Sequence, residues 1–400
     1  MQVQEAQRPA PTIPLELILL VIDLVEDTAT LATLALTCKM ITAEAERCLY
    51  SSFTMKSYRA LAKFCFKVWS HRDRKAGFVR RLDTDSAPPS SRPSESLLKQ
   101  TYQYLMLALP YMINLTELNL DLEWLRGGLL INVSVETVVS LVADVTFQLR
   151  NCRLHDTSRS SYAGLDLFLA KQPALQRVDL PHFIMESRHD IAPISLPNLL
   201  LLKAPTNFLM AILPHTKNLQ MLVWRATAER FDPGPYEIFS TISTQFARIR
   251  YLSYGEFPEL AGEYSSSKFS SIAPYLGNLE CLELCSFSAV EQVRALERLA
   301  SPEKLRMLLF HPLPHIRMQN DIQTLNLADW IFLRLPSLRF FAVPVFSWNR
   351  DCERQEIEGY RIFDSAKGRS ADRGEPVADA FHKITNSDLL HHHIFELLPH

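Results

Sequence analysis

The chain has 400 residues, 47% apolar and 22% charged, a composition that suits a soluble globular protein of two or three domains and excludes disorder throughout. With 42 basic against 44 acidic residues it has no general field to hold nucleic acid or an anionic membrane, so the expected partners are proteins. Eleven glycines form no G-x-G-x-x-G, phosphate loop or nucleophile elbow, and seven scattered cysteines form no disulfide framework; this predicts no nucleotide chemistry, no cofactor and a reducing compartment, cytoplasmic or nuclear.

Residues 1–11 read as a flexible N-terminus. The run IPLELILLVIDLV, residues 13 to 25, is the most apolar stretch of the chain. Glu16 and Asp23 interrupt it, so it is too short and too charged for a membrane span of ~20 apolar residues and lacks the pattern of a signal peptide. It reads as a helix capped by Thr12, with Pro14 and Glu16 in its first turn, and apolar on every face. After a break at Glu26-Asp27-Thr28, a second helix capped by Thr30 carries Leu31, Leu34 and Cys38, and a third runs from Ala43 to Tyr50. Three helices in so short a segment cannot bury this much apolar surface among themselves, which predicts cover from outside.

The pattern Ile13-Pro14-x-Glu16-Leu17, Val21, Val25, Leu31-x-x-Leu34-x-Leu36-x-Cys38-Lys39 and Ala45-Glu46-x-x-Leu49-Tyr50 resembles the F-box, most closely its form in many fungal F-box proteins. The resemblance spans about residues 12 to 55. It implies docking on the Skp adaptor, and through it a cullin, with Ile13, Pro14, Leu17, Val21, Leu31, Leu34 and Lys39 at or near the adaptor interface. Thr37 and Ile41 depart from the valine and tryptophan usual at those positions.

Residues 56–110 read as connecting helices around a Pro/Ser-rich loop at 83–94. From 111 to 346, L-x-x-L-x-L or a close variant recurs at Leu115, Leu175, Leu199, Leu219, Ile249, Leu279, Leu305 and Leu338. From Leu175 the starts lie 24, 20, 30, 30, 26 and 33 residues apart, around the ~20 to 29 of a leucine-rich repeat. Amphipathic segments precede several strings. The expected fold is therefore α/β: a three-helix F-box-like module followed by an irregular leucine-rich-repeat solenoid, strands inside and helices outside. The phase is poor from 127 to 174, with a degenerate strand around Phe147 to Cys152 and a first strand at Val79 to Leu82.

The residues between the buried leucines are expected on the concave face. Glu117, Asn119, Asp121, Arg177, Asp179 and Lys203 give a charged stripe. Met221, Arg225, Tyr251, Glu283, Met307, His311 and Phe340 then form an apolar, aromatic half expected to bind a protein substrate. The alternative is that the tail, 347–400, folds over that half as a cap. Cys281, Cys285 and His311 lack a fourth ligand for zinc, and His391-His392-His393 reads as a solvated run, so no metal site is expected.

No catalytic residues are assigned and no enzymatic activity is expected. The implied function is that of a substrate-recognition subunit of an SCF-type cullin-RING ubiquitin ligase. The alternative is a protein-binding scaffold with a degenerate F-box and no ligase role.

Overall fold

The computed structural model of the chain describes residues 13–84, 94–121, 147–155, 164–180, 192–226, 242–256, 269, 271–287, 296, 298–299, 301–312, 321–349, 354–365 and 380–382. The protein is α/β with a mostly parallel sheet, and it divides into two compact units, 1–151 and 152–400. That division falls inside the region read from sequence as one array. Among the described residues no helix is long and apolar enough to cross a membrane.

The first unit opens with α1 (Leu15–Asp23), α2 (Thr28–Thr37) and α3 (Lys39–Ser51). Pro14 takes the cap position of α1, its carbonyl accepting the Leu17 and Ile18 amides; Thr12 lies outside the described residues. The cap of α2 is Asp27 rather than Thr30: its carboxylate accepts both the amide and the hydroxyl of Thr30, at 2.7 and 2.6 Å. That hydrogen bonding holds the Asp27 carboxyl below its usual pKa.

Strands β1 (Ser52–Thr54), β2 (Arg81–Asp83) and β3 (Glu117–Asp121) are parallel neighbours, with Phe53 in register with Leu82 and Leu82 with Leu118. Strand β1 closes the segment read as purely helical. Helices α4 (Tyr58–Ser70) and α6 (Glu95–Ala108) pack through Tyr58, Leu61, Cys65 and Val68 against Leu98, Thr101 and Leu105, while the short α5 (Arg72–Lys75) follows α4. Residues 85–93, most of the predicted loop, lie outside the described set.

In the second unit, β4 (Asn151–His155) and β5 (Arg177–Asp179) lead into β6 (Leu201–Pro205), β7 (Met221–Ala226), β8 (Tyr251–Glu256), β9 (Cys281–Phe287), β10 (Met307–Pro312) and β11 (Phe340–Asn349). From β5 to β11 every pair is parallel to its sequence neighbour, with Val178, Leu202, Leu222, Leu252, Leu282, Leu308 and Phe341 in one register. All eight leucine strings hold a strand beginning two residues after the first leucine position, and all three of their apolar positions are buried. Short helical turns such as Leu165–Ala170 and Thr206–Ile212 return the chain.

A second ladder runs beside the sheet. Before four successive strings the preceding residue reaches back to a main-chain carbonyl of the turn before: Asn198 to Pro173, Asn218 to Pro197, Arg248 to Lys217 and Asn278 to Ala247, at 3.0, 2.9, 2.9 and 2.6 Å. These bonds satisfy carbonyls that the sheet does not reach. The parallel series ends where β12 (Arg354–Asp364) turns back antiparallel on β11 and β13 (Ala380–His382) adds to it, so these parts of the tail extend the sheet edge.

Burial also sets thiol chemistry. It raises the Cys152 thiol to about 12 and the Cys65 and Cys281 thiols well above their ordinary value, while Cys38 is exposed. Iodoacetamide at pH ~8 is therefore expected to modify Cys38 in the native protein and to reach Cys65, Cys152 and Cys281 only after denaturation. Peptide mass mapping checks this, and native labelling of Cys65 at the Cys38 rate contradicts it.

Candidate docking surface

Helix α1 is apolar on two sides for two reasons. Ile18, Ile22 and Val25, at positions i, i+4 and i+7, face a small core completed by Leu31, Leu34, Ile41, Ala45 and Leu49. Ile13, Leu17, Leu20, Val21 and Leu24, at i, i+4, i+7, i+8 and i+11, face outward, with Ile13, Leu17 and Val21 at 68, 53 and 61% exposure. Leu36, at 89%, and Met40 are also exposed, at the turn between α2 and α3. Scattered exposed leucines are ordinary, but Leu17, Leu20, Val21 and Leu24 along one side of α1, with Ile13 just before its cap, make a face that is unpartnered among the described residues.

The rest of the first unit holds this stripe in place from behind. Arg47 on α3 bonds both Glu44 and the α1 residue Asp23, tying the first helix to the third. Phe53 stacks on Phe64 at 4.3 Å, and Lys75 reaches both the hydroxyl of Tyr50 and Glu46. The side of α3 that meets α4 and α5 is thus occupied, and among the described residues the outer stripe of α1 is not. Asp23, Glu44 and Cys48 bring three ligand atoms within 4.8 Å of one another, but the guanidinium of Arg47 already fills the place a cation would take.

Of the residues expected at the adaptor interface, Ile13, Pro14, Leu17, Val21 and Lys39 are exposed. Leu31 is not: it is buried in the core of the three helices and supports the surface from within, with Leu34 packed beside it. Ile41, one of the two departures, packs on the same core, and Thr37 donates its hydroxyl to the Leu34 carbonyl. Leu20, Leu24, Leu36 and Met40 were missed. The spacing of Leu20 and Leu24 from Leu17 and Val21 was the signal for the first two.

The expected substrate half needs correction. Tyr251 and Met307 are 0 and 1% exposed, and together with Val223, Cys281, Leu309 and Ala342 they make a second core against which Met221, Phe340 and Ile362 pack. Glu283 is buried as well and accepts a 2.6 Å hydrogen bond from the Tyr251 hydroxyl. The side chains of Arg225, Cys285 and His311 lie outside the described residues.

The physical reason is visible in the strands. Met-Leu-Val-Trp at β7, Met-Leu-Leu-Phe at β10 and Phe-Phe-Ala-Val at β11 are apolar on both parities, the pattern of strands covered on both faces. Alternation survives in β3, Glu-Leu-Asn-Leu-Asp, and β5, Arg-Val-Asp. There the charged stripe stays at least partly open: Arg177 is exposed, and Asp179 pairs with Arg153 and Lys203, each at 3.2 Å. No family model matches the chain, and no curated protein matches it.

Proposed function

We propose that this chain is a substrate-recognition subunit of an SCF-type cullin-RING ubiquitin ligase. In this reading residues 12–55 are an F-box-like module that docks the Skp adaptor, and through it a cullin, while the leucine strings form a leucine-rich-repeat solenoid that holds a protein substrate. The observation that carries it is the outward apolar stripe of α1, left over after the three helices have completed a core of their own. A surface of this kind is what a protein partner covers. The chain itself performs no chemistry; it raises the local concentration of substrate lysines beside the conjugating machinery. The substrate face is the alternating part of the sheet around the exposed Arg177 and the half-buried Asp179 and Lys203, since Tyr251 and Met307 are closed off.

Affinity isolation from cells tests this. The intact chain is expected to bring down adaptor and cullin together, and a variant with Pro14→Glu and Leu17→Glu is expected to lose both while keeping any substrate. Adaptor without cullin favours the scaffold reading, and retention of adaptor by the variant overturns the docking surface.

A further inference from the structure

The chain is close to neutral as a whole, but its charge is not evenly spread. Residues 56 to 81 carry nine of the 42 basic residues and one of the 44 acidic ones, leaving 33 basic against 43 acidic for the remainder. Some of the nine are used internally: Arg74 and Lys75 pair with Glu46, and Arg81 pairs with Asp83 and Glu117. Arg59, Lys63 and Lys67 are exposed, and no ion pair holds them among the described residues. They follow one another at i and i+4 along α4, where like charges weaken a helix. Arg59 also sits in the first turn, the end at which the helix dipole disfavours a cation. Lys67, in the last turn, complements the dipole, but local stability does not account for Arg59 and Lys63.

The same stripe of α4 carries exposed Phe66, which meets Trp69 at 6.1 Å and, on α6, Tyr104 at 5.1 Å. Leu107 and Tyr111 continue the apolar ground and are exposed, with the Arg72 guanidinium over the Tyr111 ring at 5.1 Å. Cations around half-exposed aromatic anchors are the ingredients of a binding hot spot.

We infer that this face of α4 and α6 docks an acidic peptide segment of a partner protein, its carboxylates meeting Arg59, Lys63 and Lys67 and its apolar side chains meeting Phe66, Leu107 and Tyr111. Charge complementarity selects the sign of the partner. A peptide fits better than a nucleic acid on two counts. The rings are tilted against one another or carry the Arg72 guanidinium, so they form no parallel platform on which successive bases could stack. A long polyanion would also meet the acidic excess of the remaining chain, whereas a short peptide senses charges only within a Debye length of ~10 Å. This inference stands apart from the adaptor reading, because it uses different helices.

The test uses the full chain and fluorescence anisotropy with a labelled peptide of alternating Glu and Leu, its Gln-for-Glu counterpart, and a thymidine oligonucleotide of equal charge. The Glu peptide is expected to bind in a salt-dependent manner. Lys63→Glu with Lys67→Glu is expected to weaken it by about tenfold and Phe66→Ala by about threefold, with Lys217→Glu on the other unit leaving it unchanged. If the charge-reversed pair does not fold, Lys63→Gln with Lys67→Gln is read instead, with the same direction expected. Equal binding of the Gln peptide, indifference to the lysine changes, or tighter binding of the oligonucleotide each overturns the inference.

Discussion

Trp224→Ala is expected to cost the second unit about 3 to 5 kcal/mol, more than any surface change considered above. The indole is fully buried, stacks on Phe246 at 6.3 Å, and meets Tyr254 edge-on at 5.2 Å. Its N–H also donates to the buried Thr206 hydroxyl at 3.1 Å. Truncation therefore opens a cavity between the Phe246 and Tyr254 rings and takes away a buried donor in one step. Against a typical net stability of about 5 to 15 kcal/mol, a loss of this size displaces the urea midpoint of that unit far to lower concentration. Trp224→Phe separates the contributions: it keeps most of the packing and loses the hydrogen bond, for about 1 to 3 kcal/mol. A Trp224→Ala midpoint equal to that of the parent protein would contradict the packing described.

The second large effect is on binding alone. Leu17→Asp with Val21→Asp places two charges on the outward stripe of α1 and touches none of the inward positions Ile18, Ile22 and Val25. Helix formation tolerates both changes. Position 17 lies in the first turn, where an acid complements the helix dipole, and aspartate costs a helix interior no more than about 0.7 kcal/mol. If the Skp adaptor covers this stripe, each lost apolar side chain removes about 1.5 to 3 kcal/mol of burial, so affinity falls by roughly two to four powers of ten. Calorimetric titration of purified adaptor into each protein, beside their thermal unfolding curves, reads both quantities. The expected result is lost binding with an unmoved transition; undiminished binding rejects this stripe as the contact.

The leucine strings gave the strands away because their physical requirement is local: a residue that must face inward every second position leaves its mark within six residues. Leu202, Leu222, Leu252, Leu282 and Leu308 fall in one register for that reason. The Asn198, Asn218 and Asn278 bonds were not legible, since each asparagine is polar in the sequence and its partner carbonyl lies 21 to 31 residues back. The open stripe of α1 could be anticipated from a helix apolar on all sides, but not which leucines turned inward. Leu31 shows the limit, because an apolar residue at an interface and one in a core carry the same signal. The burial of Met307 was legible in principle, and that of Tyr251 by its place beside β7: the loss of alternation at β7, β10 and β11 marks strands covered on both faces. Parity alone assigned them outward.

The carbonyl ladder formed by Asn198, Asn218, Arg248 and Asn278 sits at the same point of these four turns, whether 20 or 30 residues separate successive strings. Length differences are therefore absorbed away from the joint itself. The natural quantum of change in this architecture is one whole turn: deleting from Leu219 through Arg248 sets Asn218 directly before Ile249, an Asn-Ile junction chemically like the Asn-Leu it replaces. A chain assembled this way can lengthen or shorten over generations by duplication and excision at those joints, without redesigning the turns on either side.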